Sequence, residues 1–420
     1  MEILSTGEKI KRARVYKGIT LKDLCGDKIS ISKMSCIENG KIKADNSSLK
    51  YIAEQLKIDY NYLLKDVYEQ VVEILEIVEN DSISYEEKEN ILKYSLEYTK
   101  LYCYDDLSFD IIHRLFKEYL DRDNLEEIQG LLAEYSEINK KYKSPDKDII
   151  YKEDMARFFM KMKEYTEAIN YFAIVREELE KKHNFDRGHY GIICFNEGLC
   201  YRKMNQIEKS YEIFEKGINH TEDGNIENLL GGYFNQFALV SIILNKEEAD
   251  IYVNKSKEYF KDKPYELARS KAKIAECYFK VSKEDRAMME LEEALNIFPK
   301  DKIEEYADFI IECIEVLYCN RIYEKVFELT DEALNLAITI DNGKLIEKAY
   351  YYKGMTMQRK NLVSSAEMYM NLATDSLSKF GTRQQLYKRY NEMGELYHRL
   401  GDIKQASEYF ILAIKLEKLL

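Results

Sequence analysis

Small residues return along this chain at nearly constant spacing, and that period constrains the fold more than any other feature. In "GELYHRLGDIKQASEYFILA", Gly394 to Ala413, a small residue is followed by an aromatic three positions later and Gly four after that. Ile then comes two on, Ala three on, an aromatic four on and Ala three on. The frame recurs at Gly354, Met357, Asn361, Val363, Ala366, Met370 and Ala373, and at Gly198, Tyr201, Asn205, Ile207, Ser210, Phe214 and Gly217. It also fits from Ala156 to Phe172 and from Ala275 to Pro299. Anchors on the second helix of each unit run Ile128, Ala168, Ser210, Ala249, Ala287, Val326, Ala366 and Ala406, with gaps of 40, 42, 39, 38, 39, 40 and 40. The units at Ile128, Ala249 and Val326 carry the frame loosely. A helix pair of this size cannot bury both of its faces alone, so such units must stack into an array.

Composition agrees with an all-α chain. Only 3 Pro and 17 Gly serve 420 residues, too few turn formers for many short strands. The longest apolar run, "FALVSIIL" at Phe237 to Leu244, is far short of the ~20 residues that span a bilayer. The N-terminus has no signal-peptide pattern, and a cytoplasmic location without membrane contact is expected. The 8 Cys form no Cys-x-x-Cys pair and only 5 His accompany them, so no metal site, cofactor or disulfide framework is expected.

Charge is uneven. Residues 1–66 hold 13 Lys and Arg against 9 Asp and Glu, a net of +4 inside a chain of net −13. A basic module on an acidic body suggests contact with nucleic acid. Within that module, "STGEKIKRARVYKG" offers an N-cap at Ser5 or Thr6, apolar positions at Ile10, Ala13 and Val15, and a stop at Gly18. A short second helix begins after Thr20 and ends at Gly26, with Leu21 and Leu24 inward. A third follows Ser30, with Met34 and Ile37 inward and Gly40 in the left-handed terminal position. Leu49, Ile52, Ala53 and Leu56 mark a fourth helix, and "DYNYLLKD" starts a fifth.

This order resembles the helix-turn-helix of Xre/Cro-like repressors, carried by Ile10, Arg14, Gly18, Thr20, Leu24, Ser30, Ser35, Ile37 to Gly40, Leu49, Ile52, Ala53, Leu56, Tyr62 and Leu63. The chain departs from that pattern at Leu21, where Gln is usual, and at Cys25, where Ala is common. The resemblance implies that Ser30, Ile31, Ser32, Lys33 and Cys36 face the major groove, while Lys11, Lys17, Lys41 and Lys43 hold phosphates. It also implies an internal ion pair between Arg14 and Glu38.

The repeat frame resembles the tetratricopeptide repeat. The whole chain is similar to the RRNPP regulators of low-GC Gram-positive bacteria, the long array being closer to their clostridial RstA type. The expected architecture is a helix-turn-helix domain over residues 1–65, a linker helix over 66–84 with Val67, Val71, Ile74, Leu75 and Val78 on one face, and about eight helix pairs over 85–420 forming a right-handed superhelix. The linker's apolar stripe is expected to pack on the first repeat or on a second protomer.

The family resemblance implies a homodimeric transcription regulator that binds an inverted-repeat DNA operator and a short signalling peptide. Such proteins control sporulation, toxin or virulence genes by quorum sensing. Candidate peptide contacts on the first helices are Arg157, Asn196, Arg202, Asn235, Arg269, Lys273, Tyr352, Gln358 and Asn391. Asn amides can grip a peptide backbone and cations can take a carboxylate. No Ser-His-Asp order, phosphate-cradling Gly loop or paired-carboxylate site is present, so no enzyme is expected. The alternative is a tetratricopeptide scaffold or phosphatase-type regulator that captures a partner protein, with DNA binding secondary.

Overall fold

The computed structural model describes residues 2–79, 83–182, 186–221 and 227–418, among which 23 helices and no strand occur. Residues 80–82 of the expected linker lie outside them. The chain divides into two compact units, residues 1–185 and 186–420.

The first unit opens with five short helices: α1 (Thr6–Tyr16), α2 (Leu21–Cys25), α3 (Ile31–Glu38), α4 (Asn46–Leu56) and α5 (Tyr60–Leu64). Each start is capped by a side chain. Ser5 and Glu8 form a reciprocal box, as do Thr20 and Asp23, while Ser30, Asp45 and Asp59 cap α3, α4 and α5. These caps satisfy backbone N–H groups that such short helices cannot leave open. Gly18 and Gly40 turn with φ of 66° and 68°, where a side chain would be strained. Ile10, Leu24, Met34, Ile37, Ile52 and Leu56 fill the core. Val15, expected on the buried face, is 61% exposed. It lies off the stripe that Ile10 and Ala13 define at three- and four-residue steps.

Then come α6 (Val67–Val78), α7 (Tyr85–Leu101), α8 (Asp105–Asp121), α9 (Leu125–Tyr142), α10 (Pro145–Lys161) and α11 (Tyr165–Glu180). The stripe of α6 is buried against α7 and α8, in one core with Leu92, Leu96 and Phe116. The linker therefore packs on its own chain's repeats. Ile3, fully buried, belongs to the same core, so residues N-terminal to the helix-turn-helix are fastened beyond it.

The second unit holds α12 (Arg187–Lys203), α13 (Ile207–Thr221), α14 (Glu227–Ile243), α15 (Ala249–Tyr259), α16 (Pro264–Lys280), α17 (Glu284–Ile297), α18 (Ile303–Cys319), α19 (Tyr323–Thr339), α20 (Gly343–Arg359), α21 (Val363–Leu377), α22 (Arg383–Leu400) and α23 (Ile403–Glu417). They pack as successive hairpins, and α12, α14, α16, α18 and α20 also lie side by side. All eight anchors from Ile128 to Ala406 are buried. A Cβ on Gly198, Gly354 or Gly394 would meet the side chain sixteen residues later, at 2.6 Å for Phe214, 2.8 Å for Met370 and 2.6 Å for Phe410. Small residues are required there because the paired helices approach that closely. The turn between the helices of each pair carries a left-handed residue: Asp123, Lys163, Asn205, Asn245, Ser282, Arg321, Asn361 and Gly401. That conformation closes the first helix and reverses the chain.

Candidate nucleic-acid interface and ligand face

On the helix-turn-helix, the apolar side of α3 is buried through Met34 and Ile37, which leaves Ser30, Ile31 and Ser32 exposed at its N-terminal end. Ile31 is 50% exposed. Cys36 is half-buried on the same helix. Lys33 is engaged within the protein: its Nζ lies 2.9 Å from Asp45 Oδ2 and 3.3 Å from Ser48 Oγ, at the start of α4. Hydrogen bonds from Ser47, the Ser48 amide, Lys33 and the Ser48 hydroxyl hold the Asp45 carboxyl far below the usual carboxylate range.

The expected ion pair is formed. Arg14 Nε and Nη2 donate to the two Glu38 carboxylate oxygens at 2.7 and 3.0 Å, and Arg14 Nη1 donates to the Ile19 carbonyl at 3.1 Å. It ties α1 to α3 with both side chains largely buried. Of the four lysines expected at phosphates, Lys41 is exposed, while Lys17 donates to the Leu56 carbonyl at the end of α4. Lys11 and Lys43 line a cleft of about 770 Å³ whose far wall includes Tyr102 and Tyr104 from the α7–α8 turn. Sequence reasoning missed Lys9, which is buried and caps α5 by donating to the Tyr62 and Lys65 carbonyls at 2.8 and 2.7 Å. Burial is the main cause that lowers its pKa. It also missed Gln70, whose amide exchanges hydrogen bonds of 3.2 and 2.8 Å with both backbone groups of Leu4. Neither residue stands out in a pattern of charges and apolar positions.

The candidate peptide contacts divide between the units. In the first, Arg157 on α10 pairs with Glu153 one turn earlier. In the second, the structure brings Arg202, Arg269 and Lys273 together, from α12 and α16. Lys273 is exposed, yet its pKa is lowered by desolvation and then by Arg202, with smaller contributions from Arg269 and Lys203. A side chain can be both accessible and desolvated when protein surrounds it on several sides, as on a concave wall. Asn235, another expected peptide contact, is instead 6% exposed, and its Oδ1 accepts from Ser270 at 2.9 Å between α14 and α16. Asn391 donates to the Tyr387 carbonyl within α22. Asn196 and Gln358 are half-buried, and Tyr352 packs edge-on against Tyr351 and tilted against Tyr318.

Residues 7–69 match the model of a helix-turn-helix domain, and residues 192–219 and 387–418 match that of a tetratricopeptide repeat. No curated protein matches the chain in sequence. Among solved structures, the apo form of RapI is 18% identical, with 84% of this chain and 97% of RapI covered at a TM-score of 0.52. The apo form of the quorum sensor NprR from B. thuringiensis is 15% identical, with 84% and 98% covered at 0.51. The chain shares its overall fold with these two structures.

The Arg14–Glu38 pair and the five capped helices belong to the helix-turn-helix domain, and the anchors at Ser210 and Ala406 lie within the matched tetratricopeptide repeats. Among the described residues no cluster of His, Cys, Asp and Glu could hold a metal ion, and no helix is long and apolar enough to cross a membrane.

Proposed function

We propose that the chain is a sequence-specific DNA-binding regulator whose activity is set by a short peptide held on the first-helix face of its repeats. The observation that carries this reading is the N-terminal end of α3. Its core side is filled by Met34 and Ile37, while Ile31 and Ser32 stand exposed on a helix-turn-helix frame. An aliphatic side chain there meets a thymine methyl, Ser32 bonds to either base type, and Lys33 donates to guanine once it leaves Asp45. Lys41 and the exposed helix starts hold phosphates and fix register. Lys11 and Lys43 contribute to the extent that the duplex reaches the cleft they line.

Two-fold heads on a homodimer would meet inverted half-sites about one duplex turn, ~34 Å, apart. Peptide binding then acts as a population shift between head spacings. The linker favours transmission of such a shift, because α6 is packed on α7 and α8 and Gln70 clamps Leu4. The reading is tested by genome-wide DNA capture of the tagged protein beside Lys33→Ala. A few shared sites with an inverted repeat, weakened in the variant, are expected. Equal recovery of all sequences by both proteins would favour the second reading, in which the array captures a partner protein.

A further inference from the structure

Arg202, near the C-terminal end of α12, and Arg269 and Lys273, one turn apart on α16, converge on one face of the second unit across α14. Their charge is poorly compensated. Glu312 on α18 stands 3.5 Å from Arg269 Nη1, at the limit of a contact, and both side chains remain about half exposed. Two buried polar atoms nearby in the fold have no hydrogen-bond partner: Arg202 Nε, a donor, and Gln236 Oε1 on the intervening α14, an acceptor. Gln236, Lys273 and Glu312 each lie two residues before the small or apolar crossing position of their helix, at Ala238, Ala275 and Ile314. They therefore present a row across three adjacent helices.

Three cations set against the single carboxylate of Glu312, beside an unmet donor and an unmet acceptor, destabilise the free protein and are retained where a ligand supplies the missing groups. An inorganic anion satisfies the cations and Arg202 Nε but gives Gln236 Oε1 nothing. A peptide carboxylate satisfies both, since its oxygens accept from the cations while a neighbouring backbone N–H donates to the carboxamide. We propose that Arg202, Arg269 and Lys273, with Gln236 beside them, form the seat for a carboxylate of the bound peptide, its C-terminal one. The assignment rests on the peptide reading given above and adds the chemistry that fixes the peptide's direction.

The test uses the full chain and two pools of N-acetylated random heptapeptides, one with free C-termini and one amidated, with retained peptides read by mass spectrometry. Wild type should retain the free-acid pool about tenfold more than the amidated pool. The preference should vanish in Arg202→Gln/Lys273→Gln and survive in the charge-keeping swap Arg202→Lys/Lys273→Arg, which also controls for folding. Amidated peptides retained only when they carry Asp or Glu, and lost in the Gln variant, would support the seat with a side-chain carboxylate as its source. Equal retention of both pools, unchanged in the Gln variant, overturns the seat and leaves peptide binding standing. Retention of neither pool overturns both.

Discussion

Lys33 Nζ and Asp45 Oδ2 stand 2.9 Å apart, so the lysine proposed to read a base is held by the residue that caps the next helix. The pair is half exposed, which makes it weak and easily exchanged for a phosphate or a guanine. Asp45→Asn keeps an N-capping side chain and removes the charge that competes for Lys33. Affinity for random-sequence duplex at ~50 mM salt should rise about threefold or more, and Lys33→Ala should lower it. Fluorescence anisotropy over a salt series checks this; a fall in affinity for Asp45→Asn at every salt would mean that the pair positions Lys33 and does not sequester it.

Arg14 and Glu38 form a two-pronged contact with 14% and 4% of their side chains exposed. Removal of one partner strands the other, so Arg14→Met should destabilise the head by about 3 kcal/mol, and Arg14→Lys by less because one prong survives. Denaturant unfolding followed by circular dichroism should show an earlier head transition in Arg14→Met. Coincident curves for all three proteins would contradict the assignment.

Ile3 is fully buried with Val67, Val71 and Leu92, outside the head's own core. Ile3→Ala leaves a cavity there worth about 2–4 kcal/mol. The expected result is faster amide hydrogen exchange in α1 and α6, with α12 to α23 unchanged. An unchanged α6 would show that the N-terminal segment does not fasten the head to the linker.

Lys273 has a depressed pKa, so between that value and the ordinary 10.5 the unfolded chain holds more protons than the folded one. Stability therefore rises with pH through that window and is lost below it. A carboxylate seated beside Lys273 restores its proton affinity, so peptide binding should take up protons there and weaken as pH rises. Calorimetry with a retained free-acid peptide, in two buffers of different ionisation heat, should give a net uptake that Lys273→Gln abolishes. Uptake that persists in the variant would assign the proton elsewhere.

The sequence by itself determined the helices, their pairing and their crossings. Gly198 and Phe214, or Gly394 and Phe410, occupy fixed positions in a frame of about 40 residues, and the close approach of two helices leaves room for little else. The caps at Ser30 and Thr20 and the pair Arg14 with Glu38 were legible for the same reason: each is a local or family-wide requirement with a recognisable side chain. Only the tertiary structure decided which polar residues stay accessible and which bond to each other. Asn196 and Asn235 look alike in the sequence, yet Asn235 is spent on Ser270. Lys33 looks free and is held by Asp45, while Lys9 looks like a surface charge and is buried on two carbonyls. Helical periodicity specifies a face to within about a third of a turn, whereas a hydrogen bond depends on which neighbouring helix arrives there and with what side chain.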